Sequence, residues 1–456
     1  MSQIREHWSS RLGFLFAAIG SAVGLGILWK FPYTVGQNGG GLFLLAYFGF
    51  VILVGIPVFI AEIILGKNSQ RAAVGAFTVL HPKGSTSWQI AGWLGILASF
   101  LIMSFYSVIA GWGMSYVLMS LTGFYKGLSS DEISQVYWNL SKSGNISVLW
   151  HFFFTGMVMG IVLAGVRKGI EYWAKIMTKV LLVLLFILFA YSVTLDGFKQ
   201  AAHFVFYPDF DKFSFSSCLE ALGLAFFTLS LGQGIMISYG SYMKRSENII
   251  KMSFIVALSL IIVAILAALT IFPVVFTFNL PPQAGEGLVF QTLPYLFAKL
   301  PGSLVLSTMF FSLFVFTALT SAIPLIEVVA TNLMELFGIS RKRAVLMVSA
   351  AAFVFGIPSA YSGAGKIFPN WEKIYGSNFL TTVNNFVSIW IIPIAGLLTS
   401  IFVGWIMEKR ISSEEFRMAG KYFRVFWILW RFFIRYLVPI LILAIILQKS
   451  GLLDFF

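Results

Sequence analysis

The sequence predicts an all-α membrane protein with eleven transmembrane helices, and three observations carry that prediction. Of 456 residues, 59% are hydrophobic and only 11% charged, where a soluble domain carries about a quarter. Eleven apolar segments reach the roughly 20 residues that a bilayer crossing needs: approximately 11–35, 40–66, 88–121, 149–165, 173–196, 219–243, 249–278, 303–338, 341–361, 379–407 and 427–448. Most of the 31 Lys and Arg cluster between alternate segments, the asymmetry of a multi-pass chain with its basic loops inside.

Taken in order, the first segment does not read as a cleavable signal. It is long, broken by glycines, and not followed by a small-residue cleavage site and a hydrophilic mature region. Basic clusters then recur on one face, from Arg5 and Arg11 through Lys67 and Arg71, Arg167 and Lys168, Lys244 and Arg245, and Arg341–Arg343 to the run Lys409–Arg435. That pattern sets a cell-membrane protein with the N-terminus cytoplasmic and the C-terminus extracytoplasmic. It also accounts for the net charge of +13 without a nucleic-acid partner. The 122–148 and 197–218 connections are expected outside. So is LPPQAGEGLVFQTLPYLFAKLPG (280–302), whose apolar centre suits short helices covering a vestibule.

Reactive constellations are missing. Cys218 is the single cysteine, and His7, His81, His151 and His203 are far apart, so neither a disulfide, a metal-ligand spacing nor a nucleophile–base pair is legible. No G-x-S-x-G occurs, nor the repeated filter loops or like-charge rings of a channel. An enzyme is not expected.

Two spans are interrupted in corresponding ways. GSAVGLG (Gly20 to Gly26) places three glycines in the first, and SLGQG (Ser230 to Gly234) two in the sixth. Glycine costs about 1 kcal/mol relative to Ala inside a helix, and free backbone groups at membrane depth are tolerated where they line a cavity. Breaks that open the first and sixth spans fit two five-helix units of opposite orientation, 11–196 and 219–407, with 427–448 peripheral and a binding site between the breaks.

REHWSSRLGF, GSAVGLG, KFPYTVGQNGGGLFLLAY, GIPVFIAEIILG, FFTLSLGQG and ALTSA resemble the neurotransmitter:sodium symporter family. The resemblance implies a LeuT-type 5+5 inverted repeat with discontinuous helices 1 and 6, and sodium-coupled uptake of amino acids or amines by alternating access. It further implies a Na⁺ held by Gly20, Val23, Thr317, Thr320 and Ser321, the last three standing at i, i+3 and i+4. The competing reading is that these hydroxyls bond back to their own helix. The family's other sodium site departs from its pattern. Ile27 and Leu260 stand where the family places Asn, so one Na⁺ is expected. Chloride is not expected, because Leu224 and Ala264 replace its polar ligands beside Tyr47 and Thr228.

By the same resemblance the substrate meets Ala22, Gly24, Leu25, Gly26, Ile102, Tyr106, Phe227, Thr228, Ser230, Gln233, Ser321 and Leu325. Without the first sodium a substrate carboxylate would lose its usual partner at a cost of a few kcal/mol. The expectation is therefore a small hydrophobic monoamine, with a hydrophobic amino acid as the alternative, although Gly24 occupies the place of the Asp common in amine members. A sodium-dependent receptor that binds without translocating is the other alternative. Glu62 is read as a brace for the sixth span and Glu327 as a group able to titrate. The resemblance makes Arg5, Trp8, Tyr242 and Glu335 an inner gate, and Lys30 with Asn384 a weakened outer one under a Tyr106–Phe227 lid.

Overall fold

The computed structural model describes residues 6–125, 127–210, 213–280, 285–365, 367–420 and 422–450. Among them, ten helices are long and apolar enough to cross a membrane. The eleventh crossing is the sixth span, whose halves Phe215–Thr228 and Ile235–Ser241 are each too short alone. The first span breaks as well: a regular helix runs Arg11–Ala22, and helical structure resumes at Gly26.

Both breaks follow from the local sequence. In the sixth span Ser230, Gly232 and Gly234 all adopt positive φ (54°, 69° and 70°), a region open to glycine and costly for other residues. Gly232 must also lack a side chain, because a Cβ there would lie 2.4 Å from the Ile392 carbonyl oxygen. In the first span Val23 donates its amide to Ile19 O (2.7 Å) as the last regular bond, and its ψ of 69° turns the chain out of the helix.

Ser303–Phe337 and Gln89–Thr122 form the centre, with 83% and 78% of their most apolar stretches buried, whereas Gly144–Leu163 and Arg424–Lys449 reach 33%. Small polar contacts join the central pair, such as Ser120 Oγ to Ser307 Oγ at 2.7 Å.

The fifth span begins earlier than its hydropathy suggests, at a wide turn Val166–Glu171. That turn brings in the buried Glu171, which accepts from the Ser9 amide and from the Ser9 and Ser10 hydroxyls and pairs with Lys175. Outside the bundle, Ser130–Lys142 starts at a capping box of Ser129 and Glu132. In the 280–302 connection a short helix, Thr292–Lys299, follows Phe290, whose ring packs on Tyr116, Tyr137 and Phe311.

Candidate functional site

A small cavity lies between the two breaks. Every residue expected to contact substrate lines it: Ala22, Gly24, Leu25, Gly26, Ile102, Tyr106, Phe227, Thr228, Ser230, Gln233, Ser321 and Leu325, joined by Ser21. None of these side chains is acidic or basic. The Leu25 amide donates to the Tyr106 hydroxyl (3.3 Å). Ser21 bridges the two breaks: the Ser230 hydroxyl donates to its carbonyl and lies 3.2 Å from its own hydroxyl. Gln233 is fixed through its carbonyl, which accepts from Ser99 Oγ at 2.7 Å.

Gly24 backs onto Ser321, whose Oγ would sit 2.5 Å from a Cβ at position 24. With glycine there, an ammonium in this cavity meets no acidic side chain, only carbonyls, hydroxyls, the Gln233 amide and rings.

Of the five residues expected at sodium, Gly20, Thr317, Thr320 and Ser321 come together. Ser321 Oγ donates to Gly20 O (3.2 Å) and Ser21 O (3.1 Å), across 300 residues of chain, while Thr320 Oγ1 donates to Thr317 O at 3.0 Å. A Cβ on Gly20 would lie 3.0 Å from Thr320 Cβ, so eighth and first spans touch at this point. Thr317 and Thr320 do bond back along their own helix, but Ser321 does not; it reaches the break.

The neighbouring region is apolar. Ile27 and Leu260 are fully buried. The Thr228 hydroxyl is taken up by Leu224 O (2.9 Å) and Tyr47 OH (2.8 Å), so the two polar groups matching a chloride site bond to each other. Leu224 and Ala264 are both buried. Glu62 accepts the Gly232 amide at 2.7 Å, bracing the sixth-span break.

The inner face is closed. Trp8 is 1% exposed; its amide donates to Tyr242 O and its indole to Tyr239 O, both at 3.0 Å, and its ring packs edge-on against both tyrosines. Arg5 lies outside the described residues. Both Glu335 oxygens receive the Ala72 amide. Glu327 is fully buried and held by Arg341 through two guanidinium nitrogens (2.5 and 3.2 Å), by Tyr242 OH (2.6 Å) and by Thr331 Oγ1 (3.1 Å). Sequence reasoning counted Arg341 only as an inside charge; an intramembrane Glu one helix turn-around from an Arg was the signal available.

At the outer side, Lys30 Nζ lies 5.3 Å over the Phe227 ring. Phe227 is a shared wall between the central cavity and an outer one of about 890 Å³, which Lys30 and Asn385 line. Asn384, expected at that gate, precedes Asn385 and accepts through Oδ1 from Ser388 (3.4 Å), which lines the same outer cavity.

Two broken helices meeting at an uncharged pocket in an eleven-crossing bundle define a membrane transporter of the discontinuous-helix type. The profile of the sodium:neurotransmitter symporter family matches residues 5–126 and 125–452, and the chain belongs to that family. It is similar, at 37% identity and a TM-score of 0.88 over 98% of its length and 100% of the other chain, to the crystal structure of MhsT in complex with L-phenylalanine. The uncharacterized sodium-dependent transporter YhdH of Bacillus subtilis is 35% identical over 450 residues, 98% of both chains. The sodium-dependent dopamine transporter of Bos taurus is 27% identical, covering 94% of this chain and 67% of its own length.

Proposed function

We propose that the chain is not an enzyme but a symporter that couples one Na⁺ to uptake of a small hydrophobic amino acid by alternating access. The observation that carries this is the uncharged cavity between the breaks. A monoamine enters it as a lone cation with no carboxylate to meet, whereas a zwitterion brings its own counter-charge. Its carboxylate would face the amides at Leu25 and Gly26, the start of the outer half-helix, where the dipole favours negative charge, with the Tyr106 hydroxyl beside them. Its ammonium would face the carbonyls near Ala22, Phe227 and Thr228 and the Ser230 hydroxyl. Ile102, Phe227 and Leu325 would take the side chain. The L-phenylalanine in the MhsT complex supports the same balance, which moves away from the monoamine that the missing first sodium favoured.

In this reading Gly20, Val23, Thr317, Thr320 and Ser321 hold Na⁺, a hard ion suited to five neutral oxygens. Ile27 and Leu260 leave no second site. The repeats are 11–196 and 219–407 with 427–448 peripheral, the N-terminus cytoplasmic and the C-terminus outside. Trp8, Tyr242, Glu335 and Arg5 close the inner side; Lys30 and Phe227 the outer.

Competition binding with matched amines and amino acids, with and without Na⁺, tests the substrate. The amino acid should bind more tightly; a tighter amine returns the monoamine reading. Na⁺-driven flux in reconstituted vesicles separates a transporter from a receptor, which would bind without flux.

A further inference from the structure

We propose that Arg431 and Arg435 on the last span, together with Trp405, bind the phosphate of an anionic phospholipid. The two arginines stand one turn apart on one helix face. Arg431 Nη2 donates to Gly404 O at 3.2 Å, and the Arg435 guanidinium lies 4.0 Å over the Trp405 ring, whose indole in turn donates to Arg435 O at 3.3 Å. Both cations thus sit against Phe402–Ile406, the last turn of the tenth span. Glu408, Lys409 and Arg410 follow at once, which puts this level at a membrane–water boundary, where indole rings also belong.

Among the described residues no carboxylate pairs with either arginine, and Arg435 Nε is buried without a hydrogen-bond partner. Two like charges side by side therefore present their remaining donors to whatever lies outside the protein. That surrounding is lipid: Phe426, Leu429, Phe432 and Tyr436 are all more than 40% exposed. A phosphodiester satisfies forked guanidinium donors, and acyl chains cover the exposed rings, which free phosphate cannot do. Phosphatidylcholine offers the same phosphate but adds a cation that the two arginines repel, so the occupant is an anionic lipid such as phosphatidylglycerol. The leaflet, cytoplasmic, rests on the orientation proposed above; the site itself does not, and detergent solution presents it whichever way the chain is oriented.

The test is native mass spectrometry of the purified protein with phosphatidylglycerol, phosphatidylcholine or inorganic phosphate added. Phosphatidylglycerol should be retained about 30-fold more tightly than phosphatidylcholine, the fold-change of two basic residues near anionic lipid at about 1 kcal/mol each. Arg431→Gln with Arg435→Gln should erase that preference while Na⁺-dependent substrate binding is kept, and the double Lys substitution should keep most of it. Removing Arg410 and Arg417, basic residues elsewhere on the same side, should leave it intact. Should the double Gln variant not fold, Arg435→Gln alone should lose part of the preference. The proposal is overturned if the wild type shows no preference, if the Gln variants keep it in full, or if inorganic phosphate competes as well as the lipid.

Discussion

Replacing Arg341 by Ala should open the inner face. Arg341 and Glu327 form a two-pronged pair, with Glu327 fully buried and the Arg341 side chain 18% exposed, and the carboxylate is shared with Tyr242 and Thr331. The cluster ties the eighth span to the start of the ninth and to the inner half of the sixth, so only the closed arrangement benefits from it. Removing one partner of a buried pair costs about 3–5 kcal/mol. Two hydroxyls remain on Glu327 and water can enter along the exposed edge of Arg341, so about 2 kcal/mol is the part charged against closure, or roughly 30-fold in the closed-to-open ratio. The assay is maleimide labelling of Ser238→Cys in a Cys218→Ser background. Ser238 is fully buried in that inner half, with no partner for its hydroxyl, so labelling reports opening. Arg341→Ala should raise the labelling rate by that factor. Arg341→Lys, a single point charge, should raise it less, and Tyr242→Phe, which loses the bond to Glu327 at about 1.5–3 kcal/mol and that to Thr331, should raise it by a comparable factor. Labelling of Arg341→Ala at the wild-type rate, in protein that melts normally, would refute the idea that this cluster holds the face shut.

Three further outcomes are expected. Thr320→Ala with Ser321→Ala removes two of five sodium oxygens and should abolish Na⁺-dependent binding, with the unaltered protein giving a Hill coefficient for Na⁺ near one; sodium stimulation in the double variant, or a coefficient near two, contradicts the site. Replacing chloride by gluconate should leave transport unchanged, since Leu224 and Ala264 offer an anion no donor and Tyr47 and Thr228 are bonded to each other. Glu247, in the connection after the sixth span, is 5% exposed, and burial raises its carboxyl above the usual 4.5 against the pull of Arg11, Lys244, Lys67 and His7. A raised acid favours its protonated form in the fold, so its contribution is present at low pH and lost as pH rises through the folded value. Melting curves should therefore show Glu247→Gln matching the wild type in acid and exceeding it near neutrality, and a Gln variant that melts lower near neutrality would reverse the sign.

The pocket was legible because a backbone break is a local property. Three positive-φ residues within Ser230–Gly234, and glycines around Val23, show in the chain itself where amides and carbonyls are set free. The partners of those groups follow once the two breaks are laid against each other. Ser21 escaped because it still lies inside regular helix, and its role appears only when Ser230 is seen against its carbonyl. The gates were less legible for a different reason. Hydrophobic period shows which face a residue takes on its own helix, not what stands opposite, so Glu327 read as an isolated acid although Arg341 reaches it around the turn at Gly338. The tenth span adds wide turns at Val387–Ile391 and Phe402–Ile406, and a register counted along such a helix drifts past each of them.

Ser321 explains how ion and solute can act as one load. Its hydroxyl reaches Gly20 O and Ser21 O, its Oγ fills the space behind Gly24, and the same residue lines the cavity. An ion drawn to Gly20 and Ser321 fixes the break at Val23, which in turn fixes the amides at Leu25 and Gly26 that a carboxylate would use. The linkage must be reciprocal: by whatever factor Na⁺ tightens the solute, the solute tightens Na⁺. If one Na⁺ and an amino acid bind as proposed above, this is the route open to them, since no sodium would bridge directly to the carboxylate past Ile27. In that reading coupling runs through the backbone of the first span, and its strength is set by how completely Val23 to Gly26 order when either ligand is bound.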